Sequence, residues 1–163
     1  MDILVIDFDK KLKETKEDNY KTINKYYLTL EDLNLIDNHY KEYSYILIKK
    51  GNLKKRNDFN LEDLKDKILD NHNDIDIFIL SSYDEKCQNL TKITEYNDYT
   101  FYKSRMPGEI ESFIFNSEKW PNIKELLKNS SEEKITKSLK NLAHNDNLNM
   151  VFIKNSFGVH PSY

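Results

Sequence analysis

The sequence predicts a single-domain α/β fold, with a mostly parallel or mixed sheet and helices on both faces. Three observations lead there. Short β-branched and aromatic runs recur along the chain, at 3–8 (ILVIDF), 43–48 (YSYILI), 75–80 (IDIFIL), 111–115 (ESFIF) and 149–153 (NMVFI). Segments with apolar residues at helical spacing separate several of them. The length of 163 residues is that of one domain. Strands that alternate with helices lie mostly parallel, because each crossover helix must pack back onto the sheet.

Taken in order, 3–8 reads as a buried strand with Asp7 near its end and Asp9 just beyond. Residues 12–35 are polar, with Leu12, Ile23, Tyr26, Tyr27 and Leu30 at mostly helical spacing, and predict a helix. Within them Thr29-Leu30-Glu31-Asp32 supplies the cap of a further short turn. The second strand, 43–48, ends at Lys49-Lys50-Gly51-Asn52. Asn60 or Asp58 caps a helix over 61–71, whose Leu61, Leu64, Ile68 and Leu69 share one face. The third strand, 75–80, runs into Ser81-Ser82. Residues 99–103 alternate weakly and predict a strand, Met106-Pro107-Gly108 a turn, and 111–115 another strand. Pro121 is tolerated in the first turn of a helix over 120–128, and Glu132 and Glu133 favour the start of one over 131–143. The last strand is 149–153, and 157–163 reads as a loop. No internal repeat, low-complexity tract or linker interrupts this order.

Charge narrows the function. The chain carries 25 Lys and Arg against 28 Asp and Glu, a formal net charge of −3. A dedicated nucleic-acid binder needs clustered positive excess to neutralise phosphates, so that class is not expected. The longest apolar runs are far short of a membrane span. Met1-Asp2 lacks the basic segment of a signal peptide, and the single Cys87 cannot form an internal disulfide. These features predict an intracellular, cytoplasmic protein. The surplus of Asn, with common Lys, Asp and Ile, reads as the codon bias of an AT-rich genome, that of a low-GC bacterium, a protist or a large DNA virus; for a viral source the virion is the expected location.

In an open α/β sheet, ligands gather beyond the carboxyl ends of the strands. Asp7 and Asp9 meet that test, as candidates for holding Mg²⁺ or, for one of them, for acting as a nucleophile. Asp74 and Asp76 precede their strand and are expected to be solvated at the opposite edge. His39, His72, His144 and His160 have no metal-ligand spacing, so no zinc site is expected; His144 is placed to cap a helix carboxyl end. The three glycines, 51, 108 and 158, are too scattered for a phosphate loop. Cys87 has no base nearby and reads as an ordinary thiol. The run 49–56 (KKGNLKKR) is the strongest local charge feature, and reads more readily as a solvated loop than as a contact for an acidic partner. Tyr20, Tyr26, Tyr27, Tyr40, Tyr43 and Tyr45 crowd the first half and suggest an aromatic surface for a partner.

A strand ending in Asp7-Phe8-Asp9 resembles the first motif of haloacid-dehalogenase-type phosphatases, and 75–81 (IDIFILS) resembles their second, a strand closing on a phosphate-binding serine. That resemblance implies Asp7 as nucleophile and Ser81 on the phosphate. The sequence departs from it at Lys10-Lys11 and at Lys154-Asn155, where the family places a small or hydroxyl residue and an acidic pair.

A second resemblance covers more of the chain. From Tyr43 to Tyr163 the order of features is similar to glycosyltransferase family 25, the lipopolysaccharide and collagen-galactosyl type with a GT-A-like fold. It is carried by ILVIDFDKKLKE, by YSYILI, by the helix over 61–71 followed by DIDIFILSSYDEKC, by 101–127 (FYKSRMPGEIESFIFNSEKWPNIKELL) and by the closing helix and strand. The family grips its divalent metal with acids directly after the second strand, where this chain has Lys49 and Lys50. The resemblance therefore implies a non-catalytic module with its metal-binding acids lost, having a binding or structural role and needing no cofactor. Its expected partner is another protein or a glycan. Were it an active transferase, it would need a divalent metal and a nucleotide sugar, or Lys49 or Lys50 on the diphosphate instead of the metal.

Overall fold

The computed structural model describes residues 2–51, 60–82, 91–96, 99–103 and 110–154, with the backbone alone at 81, 82, 99 and 154. It has one eight-stranded sheet. The strands are β1 (Ile3–Phe8), β2 (Tyr20–Ile23), β3 (Tyr45–Lys50), β4 (Ile77–Ser82), β5 (Thr91–Tyr96), β6 (Tyr99–Lys103), β7 (Ile110–Asn116) and β8 (Met150–Lys154). The helices are α1 (Leu61–Lys67), α2 (Trp120–Lys128) and α3 (Ile135–His144), with short 3-10 turns between elements.

The strand order is β2-β1-β3-β7-β4-β8-β6-β5. β1 is parallel to β2 and β3, and β4 to β8. β7 runs antiparallel between β3 and β4, and β6 antiparallel between β8 and β5. The sheet is mixed, and the carboxyl ends of β1, β2, β3, β4 and β8 share one edge.

Both faces are covered, which is why β1 and β3 read as unbroken apolar runs. On one face Leu4, Ile6, Ile46 and Ile48 pack with Trp120, Ile123, Ile135 and Leu139 of α2 and α3. On the other, Ile3, Val5, Leu47 and Ile114 pack with Leu61 and Leu64 of α1. The α/β class with helices on both faces therefore holds. Among the described residues no helix is long and apolar enough to cross a membrane.

The helix expected over 12–35 does not form. Its middle is β2, aligned beside β1 from Val5↔Tyr20 to Phe8↔Ile23. All four of its residues are only partly buried, so YKTI carries little apolar signal; its backbone is satisfied by an edge 15 residues upstream. A 3-10 helix, Glu31–Asn38, follows. Just before it the Thr29 N–H and hydroxyl both donate to Asp32 Oδ2, at 2.8 and 3.0 Å, while the N-cap residue itself, Leu30, makes no side-chain bond. β5 was not expected either, since TKITEY is mostly exposed and pairs only with β6.

The helix expected over 61–71 is shorter. Asn60 caps it by accepting from the Asp63 N–H at 3.0 Å, and it breaks at Ile68 into a 3-10 turn, Leu69–Asn71. α3 starts at Ile135, after the acids expected in its first turn. Asp74 and Asp76 do lie at the amino edge; Asp74 is exposed there, whereas the Asp76 carboxylate is half-buried and tied down. The Asn149 side chain donates to the Asp74 carbonyl at 2.8 Å, the Asn149 N–H to Asp76 Oδ2 at 2.7 Å, and Lys119 Nζ stands 3.3 Å from Asp76 Oδ1. The expectations for Asp58, Cys87, His160, the Met106-Pro107-Gly108 turn and the tail 157–163 lie outside the described residues.

Candidate functional site

The edge singled out by the sequence begins where β1 and β3 end side by side. Parallel pairing puts Asp7 opposite Lys49 and Phe8 opposite Lys50. Side chains alternate along a strand, so Asp7 and Lys49 leave on the face of Val5 and Leu47, and Lys50 on the face of Ile48.

Asp7 is only 4% exposed. Its Oδ2 accepts a hydrogen bond from the Tyr20 hydroxyl of β2. Lys49 Nζ stands 3.5 Å from the same oxygen and 5.5 Å from the centre of the Tyr20 ring. Burial, then the bond to Asp7, pushes the Tyr20 hydroxyl well above the usual tyrosine range, so it stays protonated as a donor. The buried carboxylate is thus satisfied on one oxygen by a hydroxyl and balanced by an ammonium from the chain itself. Among the described residues Asp7 Oδ1 has no hydrogen-bond partner. Gly51 closes over it: its N–H donates to the Phe8 carbonyl at 3.0 Å, and a Cβ there would lie 3.1 Å from Asp7 Oδ1.

No family model matches this chain, and no curated protein matches it. The site therefore has to be read from its own geometry.

The other candidates part company with Asp7. Asp9 lies past the strand, and its Oδ1 accepts from the next residue's N–H, Lys10, at 2.7 Å. Ser81 is on β4, paired with Ser112 of β7. Two strands, β3 and β7, separate β1 from β4, so Asp7 and Ser81 stand on strands roughly 14 Å apart. Lys50 turns to the opposite face, its Nζ 5.2 Å from the centre of the Tyr26 ring. Among the described residues no group of three His, Cys, Asp or Glu stands together as a metal site. His39 approaches Glu42 at 3.6 Å, and His144 ends α3 on its exposed side. From the run 49–56, only Lys49, Lys50 and Gly51 lie within the described residues.

Of the crowded tyrosines, Tyr26 is the most open, at 64% exposure. Tyr20 and Tyr45 are engaged inward, the Tyr45 hydroxyl donating to Asp70 Oδ1 at 2.7 Å. Tyr27 donates to Glu133 Oε1 at 2.9 Å, while Tyr40 and Tyr43 pack partly against the core. Sequence reasoning missed Tyr20 as the partner of Asp7. The two are 13 residues apart, and only the β1–β2 pairing brings them together. A Tyr-x-Thr-Ile alternation was the one available signal, and it is too short to separate strand from helix.

Proposed function

We propose that the chain is a glycosyltransferase-like module, GT-A-like in ancestry, that binds a protein or a glycan and carries out no transfer of its own. The observation that supports this reading is the Lys49–Asp7 contact. On the family resemblance, acids directly after the second strand would grip a divalent ion. Here an ammonium occupies that strand end, and it neutralises the buried carboxylate of the first strand. Lys49 and the Tyr20 hydroxyl already hold Asp7 Oδ2, and Gly51 closes over Oδ1, so a cation drawn to Asp7 would meet the Lys49 charge on one side and a covered oxygen on the other. The parallel β2-β1-β3 trio and the covering of both faces are compatible with such an ancestry.

The phosphatase alternative asks Asp7 to attack a phosphate that Ser81 also grips. A phosphoryl group bridges partners about 5–6 Å apart when each lies near 3 Å from it, much less than the strand separation here. The active-transferase alternative would need Asp7, Asp9 or the lysines to work without the family's acids.

The test incubates the purified chain with Mn²⁺ or Mg²⁺ and a nucleotide sugar, and separately with p-nitrophenyl phosphate. The expected result is no release of nucleoside diphosphate or of nitrophenol above a protein-free control. Metal-dependent release of nucleoside diphosphate that disappears in Asp7→Asn would overturn the reading in favour of a transferase. Nitrophenol release that disappears in the same variant would overturn it in favour of a phosphatase.

A further inference from the structure

The face opposite Asp7 holds a pocket of about 70 Å³ at the same sheet edge, lined among others by Phe8, Ile48, Phe113, Lys50, Tyr26 and Lys134. Its floor is apolar, and both of its cations rest on aromatic rings. Lys50 Nζ is 5.2 Å from the centre of Tyr26, and Lys134 Nζ is 4.9 Å from the centre of Tyr27. Neither ammonium pairs with a carboxylate among the described residues, in contrast to Lys49 on Asp7.

That difference matters electrostatically. A carboxylate partner cancels an ammonium's charge. An aromatic face orients it by the ring quadrupole and leaves the charge in place. Among the described residues the charged side chains lining the pocket are Lys50, Lys134 and the buried Glu111, two cations to one carboxylate. The exposed ring of Tyr26 extends the apolar floor outward to the rim. The cavity is smaller than a whole small-molecule site, so only part of a ligand fits within it and the rest would lie along the exposed Tyr26 ring.

We propose that this pocket binds an organic anion, with an oxyanion head between Lys50 and Lys134 and a ring or hydrocarbon body against the floor and Tyr26. Charge-assisted hydrogen bonds from the two ammonium groups hold the head, and burial of the body adds affinity that a bare anion lacks. The site does not depend on the glycosyltransferase-like reading, which rests on Lys49 and Asp7 on the other face.

The test titrates the full chain by calorimetry with phenyl phosphate, and with inorganic phosphate as the head alone. Phenyl phosphate is expected to bind saturably and more tightly than phosphate. Lys50→Gln and Lys134→Gln are each expected to weaken it roughly tenfold. Lys140→Gln removes the same charge from an exposed position of α3 outside the pocket and is expected to leave binding unchanged. Circular dichroism verifies that each variant is folded. Should a lysine variant fail to fold, Tyr26→Ala at the exposed rim is expected to shrink the preference for phenyl phosphate over phosphate. No saturable binding in the millimolar range, equal affinity for the two probes, or an equal loss in Lys140→Gln would overturn the proposal.

Discussion

The indole N–H of Trp120 donates to Asp37 Oδ1 at 2.8 Å, joining residues 83 apart in sequence. Trp120 opens α2, is 1% exposed and stacks on Phe115 with ring centres 6.0 Å apart. Lys124, one turn further along α2, bonds the other oxygen of Asp37. One carboxylate thus ties the 3-10 helix Glu31–Asn38 to α2 and lets a buried indole keep its hydrogen bond.

Acid is expected to loosen this tie. Burial opposes the charged form of Asp37, but the bonds from Lys124 and Trp120 prevail and hold its carboxyl below the usual range. A carboxyl depressed in the folded state contributes stability that is present above its unfolded value, about 3.9, and lost as pH falls through the folded value. Urea denaturation should therefore show stability falling below about pH 4. In Asp37→Asn the fall should be shallower, since one of the linked groups is gone. An unchanged slope in that variant would separate Asp37 from the acid sensitivity.

Removing Lys49 should cost more than removing an ordinary surface lysine. Lys49→Met leaves the Asp7 carboxylate buried without its counter-charge, a loss of about 3 kcal/mol given that Lys49 is partly open to solvent. The double variant Asp7→Asn, Lys49→Met should lose less than the sum of the two single changes, because no stranded charge remains. Strict additivity in denaturant titrations would show that the contact carries no coupling.

Gly51→Ala tests how closely the β3 end covers Asp7. No described glycine has a positive φ, so any cost is steric rather than conformational. A Cβ would meet Leu12 Cδ2 at 2.5 Å and Asp7 Oδ1 at 3.1 Å. The expected loss is about 1–2 kcal/mol. Leu12 can swing aside and Asp7 cannot, so a Leu12→Ala background should recover only part of it. Thermal melts of the three variants measure this, and complete recovery would place the strain on Leu12 alone.

Much of the fold was legible in local pattern. The runs that became β1, β3, β4, β7 and β8 are dense in Ile, Leu, Val and Phe because both of their faces are covered. The spacing of Leu61, Leu64 and Ile68 marked α1, and Asn60 marked its start. β2 and β5 escaped notice because they lie at the two ends of the sheet. An end strand has one ladder neighbour, so its side chains need not be apolar, and periodicity then carries little information.

The candidate site was half legible. Asp7 was singled out for lying at a strand's carboxyl end and Lys49 by a family resemblance that expects acids there, but nothing in the sequence paired them with one another or with Tyr20. Ser81 was singled out by the phosphatase resemblance, and the strand order then set it apart from Asp7.

The chain's own residues determined the class of fold, the edge where polar side chains gather and the lysines that stand there, because burial pattern and chemical identity are properties of short segments. Tertiary structure alone decided that β7 runs antiparallel between β3 and β4 and that Tyr20 reaches Asp7. Those outcomes depend on which strand lies beside which and in what register. They are set by the packing of the whole sheet between its two helical layers, where a shift of one residue would exchange every inward and outward side chain.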